Sequence, residues 1–272
     1  MSIITISRSF CSGGELIAKK LASELGYTCL SREVLHEASE LFNVPEIKLA
    51  KAIHDKPSFF DRITHGKEIY LSFIRAALLN HIKEDNIVYH GLAGHFFLQN
   101  IPHVLKVRTL SDMEDRIAEE MQRNGVSATV ARKHLLQDDK QRLNWSIYLY
   151  KMDTADPELY DLILNTKNMS VDDCVKIIRK TVELDCYRFS DEARKALDNE
   201  ALAANVKAAI VEKYPEARVS SYSGNVTIKL TDPKQSPEKV KSDIKSITKS
   251  LPGVVEVTVT VKSNVVRTGM HK

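Results

Sequence analysis

The sequence contains no window of about 18 uninterrupted apolar residues, so no membrane-spanning helix is expected. Its four cysteines, Cys11, Cys29, Cys174 and Cys186, form no CxxC pair. Scattered in this way, they are best explained as reduced thiols in a reducing compartment. His54, His65, His90 and His95 lack both the i, i+4 spacing and the cysteine partners of a zinc centre, so no metal site is assigned. Charge of one sign is also lacking: 39 Lys and Arg against 36 Asp and Glu leave +3. The small basic surplus lies in residues 190–272 and is too slight to imply a nucleic-acid partner. No basic-then-apolar leader precedes the first strand-like run, so no signal peptide is expected and the expected compartment is the cytoplasm. No nucleophile–base pair stands out.

Glycine is scarce, 10 in 272 residues, and its one adjacent pair is Gly13-Gly14. The β-branched run Ile3-Ile4-Thr5-Ile6 stops at Ser7-Arg8-Ser9-Phe10-Cys11-Ser12-Gly13-Gly14, and an amphipathic helix follows at once. Ile17, Leu21 and Leu25, four residues apart, share one face of it. Strand, tight loop and helix is the grammar of a phosphate-binding loop, in which backbone N–H groups and a helix N-terminus meet an anion. A Walker A loop would carry Gly-Lys-Ser/Thr, the lysine on the β/γ-phosphates and the hydroxyl on magnesium. Here Gly14 and Glu15 occupy those two positions. The backbone cradle can survive that change; the two side chains are gone. The same stretch also reads as an ordinary βα turn of a Rossmann-like sheet.

Further along, Tyr27–Leu30, Asn86–His90, Val104–Arg108 and Asp161–Thr166 read as strands between helices, with Ser31 as the expected N-cap of the second helix. A helical insertion is expected over 41–60, and long helices over Asp61–Lys83 and from Ser127 to about Arg142. Alternation of strand and helix implies an α/β fold: a five-stranded parallel sheet covered by helices, with any ligand at the carboxyl ends of the strands. That edge would gather the Ser7–Gly14 loop, Arg32, His90–Gly94 and the Arg142 region. From about Ser190 the order changes to α-β-β-α-β, with a hairpin turn at Ser223-Gly224-Asn225 and strict alternation over Val255–Val261. The expected division is residues 1–186, a small α+β module at 190–262, and a flexible polar tail at 263–272.

Residues 1 to about 185 resemble the cytidylate kinase-like family, a branch of the P-loop nucleoside monophosphate kinases. The resemblance rests on Ile4–Arg8 followed by Ser12-Gly13-Gly14, on Val88–Gly94, on Arg116 after the fourth strand, on Asp139-Lys140-Gln141-Arg142 and on Tyr160–Thr166. It implies a P-loop kinase-like sheet and transfer of the ATP γ-phosphoryl group, with magnesium, to a nucleoside monophosphate such as CMP. It implies Arg8, Ser12, Gly13 and Gly14 on the phosphates, Arg116 and Arg142 as catalytic arginines of a closing lid, and Arg32 and Asp161 on the acceptor. From the residues alone, Arg8, Arg32, Arg116 and Arg142 also read as solvated or capping charges, and Asp161 as a strand-end group. Two departures matter: Glu15 stands where the family carries arginine, and Leu92 where an arginine follows a glycine. Charge neutralisation dominates phosphoryl transfer. The alternative is therefore a catalytically weak or inactive sensor, its nucleotide occupancy read out by the C-terminal module. Residues 190–262 resemble the BON module through Gly224-Asn225-Val226 and Pro252-Gly253-Val254-Val255. That implies weak phospholipid or protein contact, against the plainer reading of a generic dimerisation or regulatory domain.

Overall fold

The computed structural model describes residues 2–54, 66–91, 93–231 and 236–262. The tail 263–272, Leu92, His65, the side chain of His54 and the segment around Pro57 lie outside the described residues.

Five parallel strands form the first sheet: β1 (Ile3–Arg8), β2 (Thr28–Leu30), β3 (Ile87–Tyr89), β4 (Val104–Leu110) and β5 (Leu162–Asn165). They lie in the order β2-β3-β1-β4-β5, as expected of an α/β fold. Ile3, Ile4 and Ile6 of the central strand are fully buried, because helices cover both faces of a parallel sheet. On one face α1 (Gly14–Leu25) and α8 (Val171–Val182) bury Ile17, Leu21, Val175 and Ile178 against Ile4, Ile6 and Val107. The other face carries α2 (Glu33–Phe42), α3 (Glu46–His54), α4 (Gly66–His81), the single turn α5 (Gly94–Phe97) and α7 (Ala128–Tyr150). Between β4 and α7 runs α6 (Met113–Asn124). No helix among the described residues is long and apolar enough to cross a membrane.

Capping sets the helix ends. Gly26 ends α1 in the left-handed region, its N–H bonded to the carbonyls of Ala22 and Ser23. Ser170 and Asp173 form a reciprocal capping box on α8. The N-cap of α2 is Arg32, one residue later than expected, and the Glu33 carboxylate accepts the Ser31 N–H at 2.7 Å. Helix α7 runs well past Arg142, to Tyr150. Trp145 fixes its last turns, donating to the Ala52 carbonyl at 2.9 Å, and the Tyr150 ring stacks on Phe96.

The second sheet is β6 (Arg218–Tyr222), β7 (Asn225–Thr231) and β8 (Glu256–Lys262), in that order. Its helices are α9 (Asp191–Ile210) and α10 (Pro237–Thr248), giving the expected αββαβ order. Strands β6 and β7 pair antiparallel through a two-residue turn, Ser223 and Gly224, both at positive φ. A Cβ on Gly224 would lie 2.5 Å from Val255 Cγ2, so this position excludes a side chain. Strand β8 adds parallel to β7.

Helix α9 belongs to both cores. Leu197, Ala201, Ala204 and Ala208 enter the first against α4, whereas Leu202, Val206 and Ile210 enter the second. The alanines let the two helices approach closely. Polar contacts fix the crossing: Arg75 pairs with Glu200, the Asn80 and Asn205 amides exchange two 2.9 Å bonds, and Arg194 donates to the Lys83 carbonyl at 2.9 Å.

Candidate functional site

The loop between β1 and α1 is bent by two left-handed residues, Cys11 (φ 54°) and Gly13 (φ 67°). Its carbonyl side is held from outside. Arg116 donates Nε to the Phe10 carbonyl at 2.8 Å, and Arg142 donates to the Arg8 carbonyl at 2.7 Å. In a trans peptide N–H and C=O point in opposite directions, so these bonds turn the Ser9 and Cys11 N–H groups away from the arginines. Ser12 is buried, donating Oγ to the Ser9 carbonyl at 2.9 Å beside Thr109 Oγ1 at 3.3 Å. The first intrahelical bond of α1 is Ile17 N–H to the Gly13 carbonyl, 3.1 Å. The N–H groups of Ser12, Gly13, Gly14 and Glu15 meet no acceptor among the described residues.

A Cβ at Gly13 would meet nothing within 4 Å; at Gly14 it would lie 2.8 Å from Thr109 Oγ1 and 2.9 Å from Arg8 Cβ. Gly13 therefore faces open space, while Gly14 lets α1 seat closely on β1 and β4. The open space is a cavity of about 330 Å³. Ser12, Gly13 and Ile17 form one wall, Ser111, Asp115 and Glu119 another, and Thr166 with Met169–Val171 the third.

Glu15, the residue expected to repel an anion, does not line this cavity. Its carboxylate reaches Lys19 at 2.9 Å and Arg8 at 3.4 Å. The hydrogen bond from Lys19, aided by the charges of Lys19 and Arg8 and against partial burial, holds its pKa at about 2. Burial lowers the pKa of Arg8, and Glu15 offsets part of that. Cys11 is no reactive thiolate: burial and the nearby Glu119 and Glu120 push its thiol up to about 12, and Sγ donates to Glu120 Oε2 at 3.6 Å.

The expected arginines come together at the loop. Arg116 is only 5% exposed, and its fork also grips Asp139 of α7 through two bonds of 2.9 and 2.8 Å. Arg142 makes an ion pair with Asp138 at 2.7 Å. Both guanidinium groups thus tie α7 to the loop. Arg32 is exposed at the carboxyl end of β2, on the same edge of the sheet. Asp161, expected near the acceptor, stands elsewhere. Its carboxylate accepts the Lys106 N–H at 2.8 Å and pairs with the Lys106 ammonium at 3.1 Å. Lys106 lies level with Thr5, three residues below Arg8 on the ladder, which is roughly 10 Å along the strand. The Asp161 carboxylate thus satisfies groups at the strand end.

Missed in the sequence were Asp115 and Glu119, one helical turn apart on α6, and Arg108, whose guanidinium meets the Tyr160 hydroxyl at 3.3 Å. The i, i+4 spacing of the two carboxylates just beyond β4 was the available signal. His90 and His95 are buried, and desolvation lowers both pKa values, that of His95 to about 3. Among the described residues no group of three His, Cys, Asp or Glu side chains converges on a metal position.

Comparison with known proteins agrees with the fold. A curated cytidylate kinase of Archaeoglobus fulgidus is 28% identical over 183 residues, spanning 66% of this chain and 94% of that protein. One from Ignicoccus hospitalis is 26% identical over 183 residues, spanning 66% and 98%. A solved structure of an uncharacterised protein from Eubacterium ventriosum superposes with a TM-score of 0.50 at 24% identity, covering 67% of this chain and 98% of that one. The model of the cytidylate kinase-like family matches residues 3–168. The chain belongs to the cytidylate kinase-like family.

Proposed function

We propose that this protein binds ATP at the β1–α1 loop and transfers its γ-phosphoryl group to a nucleoside monophosphate such as CMP. One observation carries the reading: a row of loop N–H groups without acceptors among the described residues opens beside a cavity, and the glutamate that would oppose an anion is neutralised by Arg8 and Lys19. Ser12, Gly13 and Gly14 would hold the phosphates through backbone donors. Arg8 and Arg142, which meet at the loop, would face the transferred group, and Arg32 would meet the acceptor phosphate. Magnesium would arrive on the triphosphate and neutralise its β and γ oxygens. The described residues supply no ready-made cage for it, and Glu15 stands where a Walker A loop has its magnesium-holding hydroxyl.

A second reading is favoured by one feature, the sharing of α9 between both cores. In it, nucleotide occupancy is sensed rather than turned over, and the signal passes to residues 190–262. That region is read as a BON-like module on the strength of its αββαβ order and its glycine-valine turns. Calorimetry with ATP, CMP and their magnesium complexes, beside a coupled turnover assay, tests both. Turnover abolished by Arg142→Ala supports the kinase. Binding without turnover supports the sensor, and no binding of either nucleotide refutes both.

A further inference from the structure

Strand β4 sends successive side chains to opposite faces of the sheet. Thr109 faces the loop: its Oγ1 lies 3.3 Å from Ser12 Oγ and would lie 2.8 Å from a Cβ at Gly14. Arg108 therefore faces the other way, level with Ser7 on the ladder and towards the core that contains Tyr160. There it is half-buried, its guanidinium 5.4 Å from the centre of the Tyr160 ring and donating to the Tyr160 hydroxyl at 3.3 Å. That hydroxyl is itself anchored, donating to the Thr154 carbonyl at 2.8 Å and lying 3.2 Å from Ser7 Oγ. Arg8, Arg116 and Arg142 are each committed to a carboxylate, Glu15, Asp139 and Asp138 respectively. Arg108 has no carboxylate partner among the described residues, and its bond to Tyr160 leaves most of its donor fork unused.

A half-buried guanidinium is costly to keep without an anion. Two buried polar atoms in the same neighbourhood also lack partners among the described residues. One is Thr5 Oγ1, two residues before Ser7 on the same face of β1; the other is Nε2 of His95, whose ring packs on Tyr160 with centroids 5.1 Å apart. Burial, with the Arg108 charge, holds the His95 pKa at about 3, so this ring adds no second cation. One guanidinium with parallel donors to spare, near the carboxyl end of a parallel sheet, suits a phosphate gripped by two bonds. The cavity beside Ser12 and Gly13 shares its face of the sheet with Ile17, so a phosphate met by Arg108 on the opposite face belongs to the other substrate. Resting on the kinase reading given above, we propose that Arg108 is a further binding residue of that site and grips the phosphate of the acceptor nucleoside monophosphate. Tyr160 is its positioning residue, holding the guanidinium through ring and hydroxyl without touching the substrate.

The test is calorimetry of the full chain with CMP, UMP, AMP and GMP, and separately with magnesium ATP. The monophosphate that the native protein binds most tightly is then titrated into Arg108→Met, Arg108→Lys and Tyr160→Phe, each checked for folding by circular dichroism. Arg108→Met should weaken its binding by about 10- to 100-fold, the worth of a hydrogen bond to a charged group, and leave magnesium ATP unaffected. Arg108→Lys fills similar space and keeps the charge but loses the fork, so it should recover part of the loss. Tyr160→Phe keeps the ring and removes the hydroxyl, and should weaken the monophosphate by a smaller factor. An unchanged monophosphate affinity in Arg108→Met removes this inference alone. Equal weakening of monophosphate and ATP, or equal losses in the methionine and lysine variants, would assign Arg108 to packing and overturn it. Native protein that binds magnesium ATP but no monophosphate overturns it too, and failure of every nucleotide to bind removes the kinase reading with it.

Discussion

Arg116→Ala separates a structural from a catalytic role at the loop. The side chain makes three bonds of 2.8–2.9 Å, one to the Phe10 carbonyl and two to Asp139. Its own side chain is 7% exposed and that of Asp139 38%. Removing one partner of a buried pair costs about 3–5 kcal/mol because the other is left uncompensated. Asp139 can rehydrate in part, so the figure should fall at the low end, about 3 kcal/mol. For a chain of this size that corresponds to a melting temperature lower by roughly 6–12 °C. Arg116→Lys keeps the charge and loses the fork, and should recover only part of the loss. Thermal and urea unfolding of the three proteins measure this. An Arg116→Ala protein as stable as the native one, yet without turnover, would refute the clamp and return Arg116 to the reacting groups.

Four further outcomes follow from the structure. The pKa of Glu15 is depressed from 4.5 to about 2, so its stabilising contribution is complete above pH 4.5 and is lost as pH falls towards 2. The unfolding midpoint of Glu15→Gln should accordingly vary less than the native one across that window, and an identical acid profile would contradict the ion pairs. Gly14→Ala places a Cβ against Thr109 and Arg8 on two core strands, at a cost of about 1–3 kcal/mol; denaturant unfolding checks it, and a neutral result would mean that the loop yields freely. Ala204→Leu overpacks the α4–α9 contact, with a similar loss of about 1–3 kcal/mol. In the native protein the fluorescence of Trp145, the only tryptophan, should report the same transition as far-UV circular dichroism, and two separate transitions would show that α9 does not couple the two halves.

The first sheet was legible because its strands are β-branched runs bounded by polar turns, and because alternation with helices leaves little freedom of topology. The extent of α7 was not. Few of its residues are buried, chiefly Ala131, Leu135, Trp145 and Ser146, so it shows no sustained apolar stripe, and contacts made by Trp145, Arg142 and Asp139 hold it instead. At the site, Ser12-Gly13-Gly14 announced a turn that presents amides. That Arg116 spends its fork on Asp139, 23 residues away, could not be read from spacing, because both lie on separate helices brought together by the fold. Asp115 and Glu119 belong to no motif, and only the fold brings them to the wall of the cavity. Helix α9 read as the opening helix of a separate module, since Leu197, Ala201 and Ala204 differ from Leu202 and Val206 only in the partner they meet.

That double allegiance bears on how the protein could be cut or rebuilt. The cytidylate kinases it resembles align over about two thirds of this chain and nearly all of their own length. A shortened version stopping after α8 would strip α4 of its cover and leave an oily groove, with Arg75 and Asn80 deprived of their counterparts. Excision would therefore call for resurfacing α4, and grafting the C-terminal portion onto a shorter relative would call for a matching row of small residues to receive it.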